Sequence, residues 1–227
     1  MADNKKQQQD QEAYRKLYEE AMKKQQEIVA EASRAQIRAQ ERQKAIDEMP
    51  RRKYAVIAAV DLLGGLSKDG QIPWHYKQDF QWFKERTMNQ ICIMGRGTYE
   101  DINKRLGEKA AQSVLPGRKC FVVSNTLDPA MVTNATVIRG VFDIETHLTT
   151  EDDAKTAFII GGDAIFREGI SMASEAYITT INKEFSCDKF FPTDYLMKFF
   201  AVNQVFKTED SPDLRFVIFK RNVGKFI

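Results

Sequence analysis

Between Pro73 and Phe83 the chain reads PWHYKQDFQWF, and Asp79 is the only carboxylate in that run. It lies on the first turns of a stretch that places Phe80, Phe83 and Met88 on one side, the spacing of an amphipathic helix. An acid facing inward among Phe80, Phe83 and Trp74 is costly to bury unless something pairs with it. A heterocycle with a ring N–H and an exocyclic amine side by side matches the two oxygens of a carboxylate. The plainer reading is an acid on a solvated face, favoured by the dipole at a helix N-terminus.

Three further segments carry candidate chemistry. Ile91 to Ile102 reads ICIMGRGTYEDI: an apolar run, then Gly95-Arg96-Gly97-Thr98, then a helical pattern. A strand, a glycine turn and a helix N-terminus offer free N–H groups and a favourable dipole to an anion. Arg96 adds a fixed cation. Leu115-Pro116-Gly117-Arg118 is a turn followed by a strand that ends at Ser124-Asn125. Arg118 there has the planar fork that grips a carboxylate. Ala157 to Phe166, AFIIGGDAIF, is a buried strand that passes through Gly161-Gly162 into a helix. Paired glycines let a ligand approach the backbone closely. Taken singly, each segment is equally an ordinary turn between a strand and a helix, and Arg118 an ordinary solvated arginine.

In this order and spacing the four segments resemble dihydrofolate reductase, over about Lys53 to Asn222. That family has an apolar first strand (here Tyr54 to Val60), a mobile loop, Pro-Trp, and a helix with a single acid. Its Met-Gly-Arg-x-Thr, Leu-Pro-Gly-Arg and Ile-Gly-Gly segments then follow. The resemblance implies hydride transfer from NADPH to 7,8-dihydrofolate, with a proton added at N5 of the pterin. Asp79 would pair with the pterin, Thr179 would hydrogen-bond Asp79, and Trp74 would complete the catalytic set. Ile57, Phe80, Phe83, Ile102 and Leu115 would line the substrate cleft, and Arg118 would clamp the glutamate α-carboxylate. Ala59 and Ile160 would meet the nicotinamide. Gly95, Arg96, Gly97 and Thr98 would take the pyrophosphate and adenosine side, and Gly161, Gly162, Ala164 and Ile165 would close over the other end of the pyrophosphate. Ser124, Asn125 and Arg139 would lie at the adenosine 2′-phosphate. Arg96 and Arg139 would favour NADPH over NADH by charge.

The chain departs from the family at four places. Leu66-Ser67 stands where an apolar residue and glycine are usual. Phe166 replaces a common tyrosine. Asp163 follows the glycine pair, where an acid is awkward unless it points to solvent. Asn103 to Val114 is longer than in compact members.

The elements that must position these residues alternate between strand and helix after Pro50, which argues an α/β fold with a mixed, mainly parallel sheet flanked by helices. Helices are expected at 77–88, 97–107, 141–149 and 162–171. Strands are expected at 53–60, 91–94, 119–124, 136–139, 156–160 and 174–182. A closing antiparallel hairpin is expected from 199–207 and 213–221, around Ser-Pro-Asp. The resemblance implies eight strands with the last one antiparallel.

Composition breaks near Pro50, so residues 1–50 read as a charged, Gln-rich helical or partly disordered extension and 51–227 as the reductase-like domain. Residues 1–49 hold no Gly, Pro, Phe or Trp. Pairs such as Glu12–Lys16 and Glu19–Lys23 have the favourable orientation for a helix over about Asp10 to Glu48. Its seam (Tyr14, Leu17, Ala21, Ile28, Ala32, Ala35) is broken by Lys24 and Arg38. Three readings compete: a solvated fraying helix, a self-association element, or a docking arm for another protein. A net charge of +2 gives no footprint for nucleic acid. Cys92, Cys120 and Cys187 are scattered, without metal-ligand spacing, and suit a cytoplasmic protein. No run approaches membrane-spanning length. Two alternatives stay open: a relative of this fold acting on another pterin or a pyrimidine, and a structural or assembly protein that retains a reductase domain.

Overall fold

The computed structural model describes residues 52–222 continuously and, ahead of them, Met22, Lys24, Gln25, Glu31, Ser33, Arg34 and Ile37. Those seven are helical and exposed. The remainder of the expected helix from Asp10 to Glu48, with its seam and its ion pairs, lies outside the described residues. The chain divides into two units, Met1–Arg51 and Arg52–Ile227.

The second unit is built on an eight-stranded sheet. In chain order its elements are β1 (Tyr54–Val60), β2 (Gly65–Ser67), α1 (Lys77–Thr87), β3 (Ile91–Gly95), α2 (Arg96–Leu106), β4 (Lys119–Val123), β5 (Thr136–Ile138), β6 (Ala157–Gly161), α3 (Asp163–Met172), β7 (Glu175–Ile181), β8 (Lys189–Phe190), α4 (Thr193–Phe199), β9 (Phe200–Lys207) and β10 (Leu214–Arg221). The strand order is β5-β4-β3-β6-β1-β7-β10-β9. β10 runs antiparallel to both of its neighbours, and the other pairs are parallel. β2 and β8 form a separate two-stranded ribbon.

The central strands are apolar on both faces because helices cover both. β1 shows how the faces divide. Val56 points into a core shared with Ile159, Ile170, Leu196 and Phe200. Its neighbours Ala55 and Ile57 point the other way, to Phe158, Trp82 and Phe83. Strand alternation thus sends Ile57 to the α1 side, where Asp79 sits.

Two stretches differ from expectation. Residues 141–147 wind as a 3-10 helix, not an α-helix. Val141 and Ile144, both fully buried, are spaced by three, and at 3.0 residues per turn they fall on one line. α4 was not anticipated; it is seven residues long, follows Pro192 and buries Leu196. The long stretch after Ile102 continues α2 to Leu106 and then makes a 3-10 turn over Gly107–Ala110. Asn134 ties it down, with its amide donating to Asn103 Oδ1 and to the Ala110 carbonyl, both at 2.7 Å. Among the described residues no helix is long and apolar enough to cross a membrane.

Candidate active site

Asp79 stands in the first turn of α1 and is 9 % exposed. Burial pushes its carboxyl above the ordinary carboxylate value, and a hydrogen bond from the Thr179 hydroxyl partly opposes that rise. Thr179 is buried on β7, in register with Ala59 of β1 on one side and with Phe216 of β10 on the other. The sheet register therefore fixes the threonine that steadies the acid. Trp74 is buried beside Phe185, Ile181 and Ala59, and its Nε1–H has no acceptor among the described residues. A buried donor without a partner is costly, and it is what a ligand or a water with an acceptor atom would satisfy.

Phe83 joins the walls of the cleft. It packs against Ile57 and Phe158 in one cluster and against Ile102, Leu115 and Met94 in another, with Ile160 common to both. Phe80 is half-buried one turn earlier, with its ring 5.2 Å from that of His75 and under the Arg105 guanidinium of α2. α1 and α2 thus face each other across an apolar slot.

Arg118 lies at the other end of α1. The turn before it closes with its N–H on the Leu115 carbonyl at 3.2 Å. Gly117 has φ +77°, and a Cβ there would sit 2.7 Å from Met88 Sδ, so glycine is required. The guanidinium donates to Thr87 Oγ1 at 2.9 Å and to the Pro116 carbonyl at 3.0 Å. Thr87 was not anticipated. The available signal was its place at the C-terminus of an amphipathic helix, four residues after Phe83, whose carbonyl its hydroxyl bonds at 2.7 Å. From Asp79 to Thr87 the helix rises about 12 Å at 1.5 Å per residue. An acid at one end and a fixed cation at the other would suit a long ligand with a hydrogen-bonding ring and a terminal carboxylate.

On the far side of the slot two helix N-termini lie side by side. α2 starts after Gly95 and α3 after Gly162, and neither has a side-chain cap among the described residues. A Cβ on Gly95 would lie 3.4 Å from the Gly162 nitrogen, and one on Gly161 would lie 3.0 Å from Thr98 Oγ1. Gly161 also has φ +133°, which L side chains rarely adopt, and the Gly161–Gly162 peptide is cis. Around Gly97 nothing stands within 4 Å of an added Cβ. Uncapped N–H groups, two helix dipoles and a cradle without side chains suit a pyrophosphate. Asp163 is exposed, which relieves the expected clash of charges.

Beyond the cradle, Arg96 and Arg139 reach the same turn, Ser124 to Leu127. Arg96 donates to Thr126 Oγ1 at 2.9 Å and pairs with Glu100 at 2.6 Å. Arg139 donates to the Ser124 carbonyl and to that of Leu127. Ser124 Oγ accepts the N–H groups of Thr126 and Leu127, which shapes the turn. Thr126 is the residue here that the sequence reading missed; its signal was only its place after Ser124-Asn125. Ala164 and Ile165 lie in the first turn of α3, which directly follows the glycine pair. Ile165 is buried in the core with Ile159, Ile170 and Phe191, and the Ala164 side chain is exposed. Phe166 is buried beneath Gly161, with its ring 5.0 Å from that of Phe191.

The family model described as dihydrofolate reductase matches residues 53–221. The chain belongs to the dihydrofolate reductase family. The dihydrofolate reductase of Bacillus subtilis is 31 % identical over 173 residues, covering 74 % of this chain and 95 % of that one. Dihydrofolate reductase type 3 of Salmonella typhimurium is 33 % identical over 142 residues, 63 % and 79 % of the two chains. The solved dihydrofolate reductase of Enterococcus faecalis, complexed with NADP(H) and RAB-propyl, aligns at TM-score 0.62 and 25 % identity, over 76 % of this chain and 98 % of that one. With the family comes its reaction, the NADPH-dependent reduction of dihydrofolate.

Proposed function

We propose that the slot between α1 and α2 binds dihydrofolate, with Asp79 at the pterin and Arg118 at the glutamate α-carboxylate. The observation that carries the reading is the buried Asp79, bonded by Thr179, about 12 Å along one helix from a cation fixed by Thr87. Asp79 accepts the pterin N3–H and 2-amino group on its two oxygens. Its charge favours the protonated pterin, and the proton itself reaches N5 from water. Thr179 holds the carboxylate in place. Trp74 closes the slot and offers its free indole N–H to an acceptor on the substrate or on a bound water. Ile57, Phe80, Phe83, Ile102 and Leu115 exclude water from the pterin and the aminobenzoyl ring.

When bound, NADPH would supply the hydride. The chain's part is orientation and electrostatics. Ala59 and Ile160 border the nicotinamide side. The N–H groups at the starts of α2 and α3, with Gly95, Gly97, Thr98, Gly161 and Gly162, take the pyrophosphate. Arg96, Thr126 and Arg139, with the turn from Ser124 and Asn125, take the adenosine 2′-phosphate.

Loss of NADPH absorbance on mixing the full chain with dihydrofolate tests the reading. Turnover that Asp79→Asn abolishes at neutral pH is the expected result; turnover that the substitution leaves intact would remove Asp79 from the site.

A further inference from the structure

We infer that Asp61 is a positioning residue that fixes Trp74 at the substrate slot by holding the backbone of Phe185. The inference rests on the reading of Trp74 given above. Asp61 follows β1 directly and is only 3 % exposed. Neither the acid–threonine pair nor the cofactor cradle uses it. Its two oxygens serve different parts of the chain. Oδ1 accepts the N–H groups of Leu63 at 3.0 Å and Gly65 at 2.7 Å, within its own loop. Oδ2 accepts the N–H of Phe185 at 3.1 Å, from the segment after β7. The Cys187 thiol bonds the same carboxylate. Burial would raise this carboxyl, but the three N–H groups and the thiol outweigh it and hold it below its ordinary value, so it is charged at neutral pH.

Phe185 connects that anchor to the slot. Its ring lies 5.2 Å from the Trp74 ring, tilted by 57°, and both belong to the cluster that includes Ala59 and Ile181. The surrounding packing leaves little slack. A Cβ at Gly65 would lie 2.4 Å from Cys187 Cβ and 2.9 Å from Asp61 Oδ1. Leu62 N–H also reaches the Lys183 carbonyl, and Phe191 N–H reaches that of Gly64. The loop that ends at Trp74 and the segment after β7 are thus sewn together, and Asp61 is the one buried charge at the seam among the described residues. A carboxylate suits that place because only an ionised acid accepts on both oxygens.

Asp61→Asn separates the two functions of the group. The amide oxygen still accepts from Leu63 and Gly65, while the amide nitrogen now opposes the Phe185 N–H. The experiment uses the full chain carrying Trp82→Phe, which leaves Trp74 as its one indole. Steady-state reduction of dihydrofolate and acrylamide quenching of Trp74 are measured with and without Asp61→Asn. The expected result is a kcat lowered about tenfold, a KM for dihydrofolate changed less than about twofold, and more quenchable Trp74 fluorescence. Phe185→Leu keeps the backbone bond but removes the ring, and it should give the same split should Asp61→Asn fail to fold. Unchanged kcat and quenching in whichever variant folds would overturn the inference. So would a lowered melting temperature with the kinetic constants of the folded fraction intact, which is the mark of a merely structural role. An inactive parent would count against the proposed function instead.

Discussion

Arg118 is held by Thr87: Nε donates to the threonine Oγ1 at 2.9 Å, and that hydroxyl in turn donates to the Phe83 carbonyl at 2.7 Å. A single buried hydroxyl thus orients the cation against the last turn of α1, the helix that also carries Phe80 and Phe83. Thr87→Val should raise KM for dihydrofolate about fivefold to tenfold, the worth of an ordinary hydrogen bond of roughly 1–1.5 kcal/mol. KM for NADPH should not move. Steady-state titration of each substrate separates the two, and an equal rise in both would remove Thr87 from the clamp.

Asp79→Asn should lower turnover at pH 7 by about 100-fold or more, with partial recovery as the pH falls and the substrate itself is protonated. The same change should stabilise the protein without ligand. Burial raises the Asp79 carboxyl, so the fold binds this proton more tightly than the unfolded chain does. That contribution is full below the unfolded value and is lost as the pH rises through the raised folded one. Thermal unfolding at neutral pH should therefore occur at a higher temperature in the asparagine variant.

The preference for NADPH over NADH should narrow about tenfold in Arg96→Ala, because a phosphate-facing guanidinium reads charge. Arg139→Ala should narrow it and also loosen the turn from Ser124 to Leu127, whose carbonyls it bonds. The ratio of kcat/KM for the two cofactors decides. An unchanged ratio in both variants would mean that other groups read the phosphate.

The sheet and the site were legible to different depths. β1, β3 and β6 announce themselves as short apolar runs, and their glycine ends follow from the turns they must make. Asp79 stood out because it is one acid among aromatics. Thr87 and Asp61 did not, because a threonine at a helix end and an aspartate after a strand have solvated explanations until the fold brings a distant partner to them. Arg118 comes from 31 positions away and Phe185 from 124. The 3-10 turn over 141–147 was misread for a related reason. Its spacing of three is compatible with an α-helix face, and only burial of both Val141 and Ile144 against the sheet decides between the two.

Asp152 should be the main acid-sensitive support of the sheet. Its side chain is 4 % exposed and accepts from Lys119 Nζ at 2.7 Å and Lys155 Nζ at 2.8 Å. Burial would raise this carboxyl, but the two lysines and the Thr149 N–H hold it well below its ordinary value. Its contribution is present above the unfolded pKa of about 3.9 and is lost as the pH falls through the folded one. Asp152→Asn should cost about 1–3 kcal/mol at pH 7, less than a fully buried pair because both lysines are about one-third exposed. Urea unfolding at pH 7 and pH 3 checks this: the gap between variant and parent should shrink at the lower pH.

Residues 52–227 alone should fold and reduce dihydrofolate at a rate within about twofold of the full chain. The cut must spare Arg52. Its side chain bonds Glu145, Asp153 and the Asp152 and Lys155 carbonyls, closing the start of β1 onto the stretch before β6. Truncation at Tyr54 should lower the melting temperature while truncation at Arg52 should not. A homogeneous assembly of the full chain that is lost on truncation would assign the first fifty residues a role in assembly.

The close approach of Gly95 to Gly162, with Thr98 against Gly161, leaves the middle of the proposed cofactor cradle to main-chain atoms. Main chain cannot be exchanged by point substitution, and a Cβ at Gly161 meets both a strained backbone and a neighbouring hydroxyl. An antagonist anchored on those N–H groups would therefore leave few escape routes to resistance. One anchored on Phe80, Phe83 or Arg118 would face side chains that a single codon change can alter.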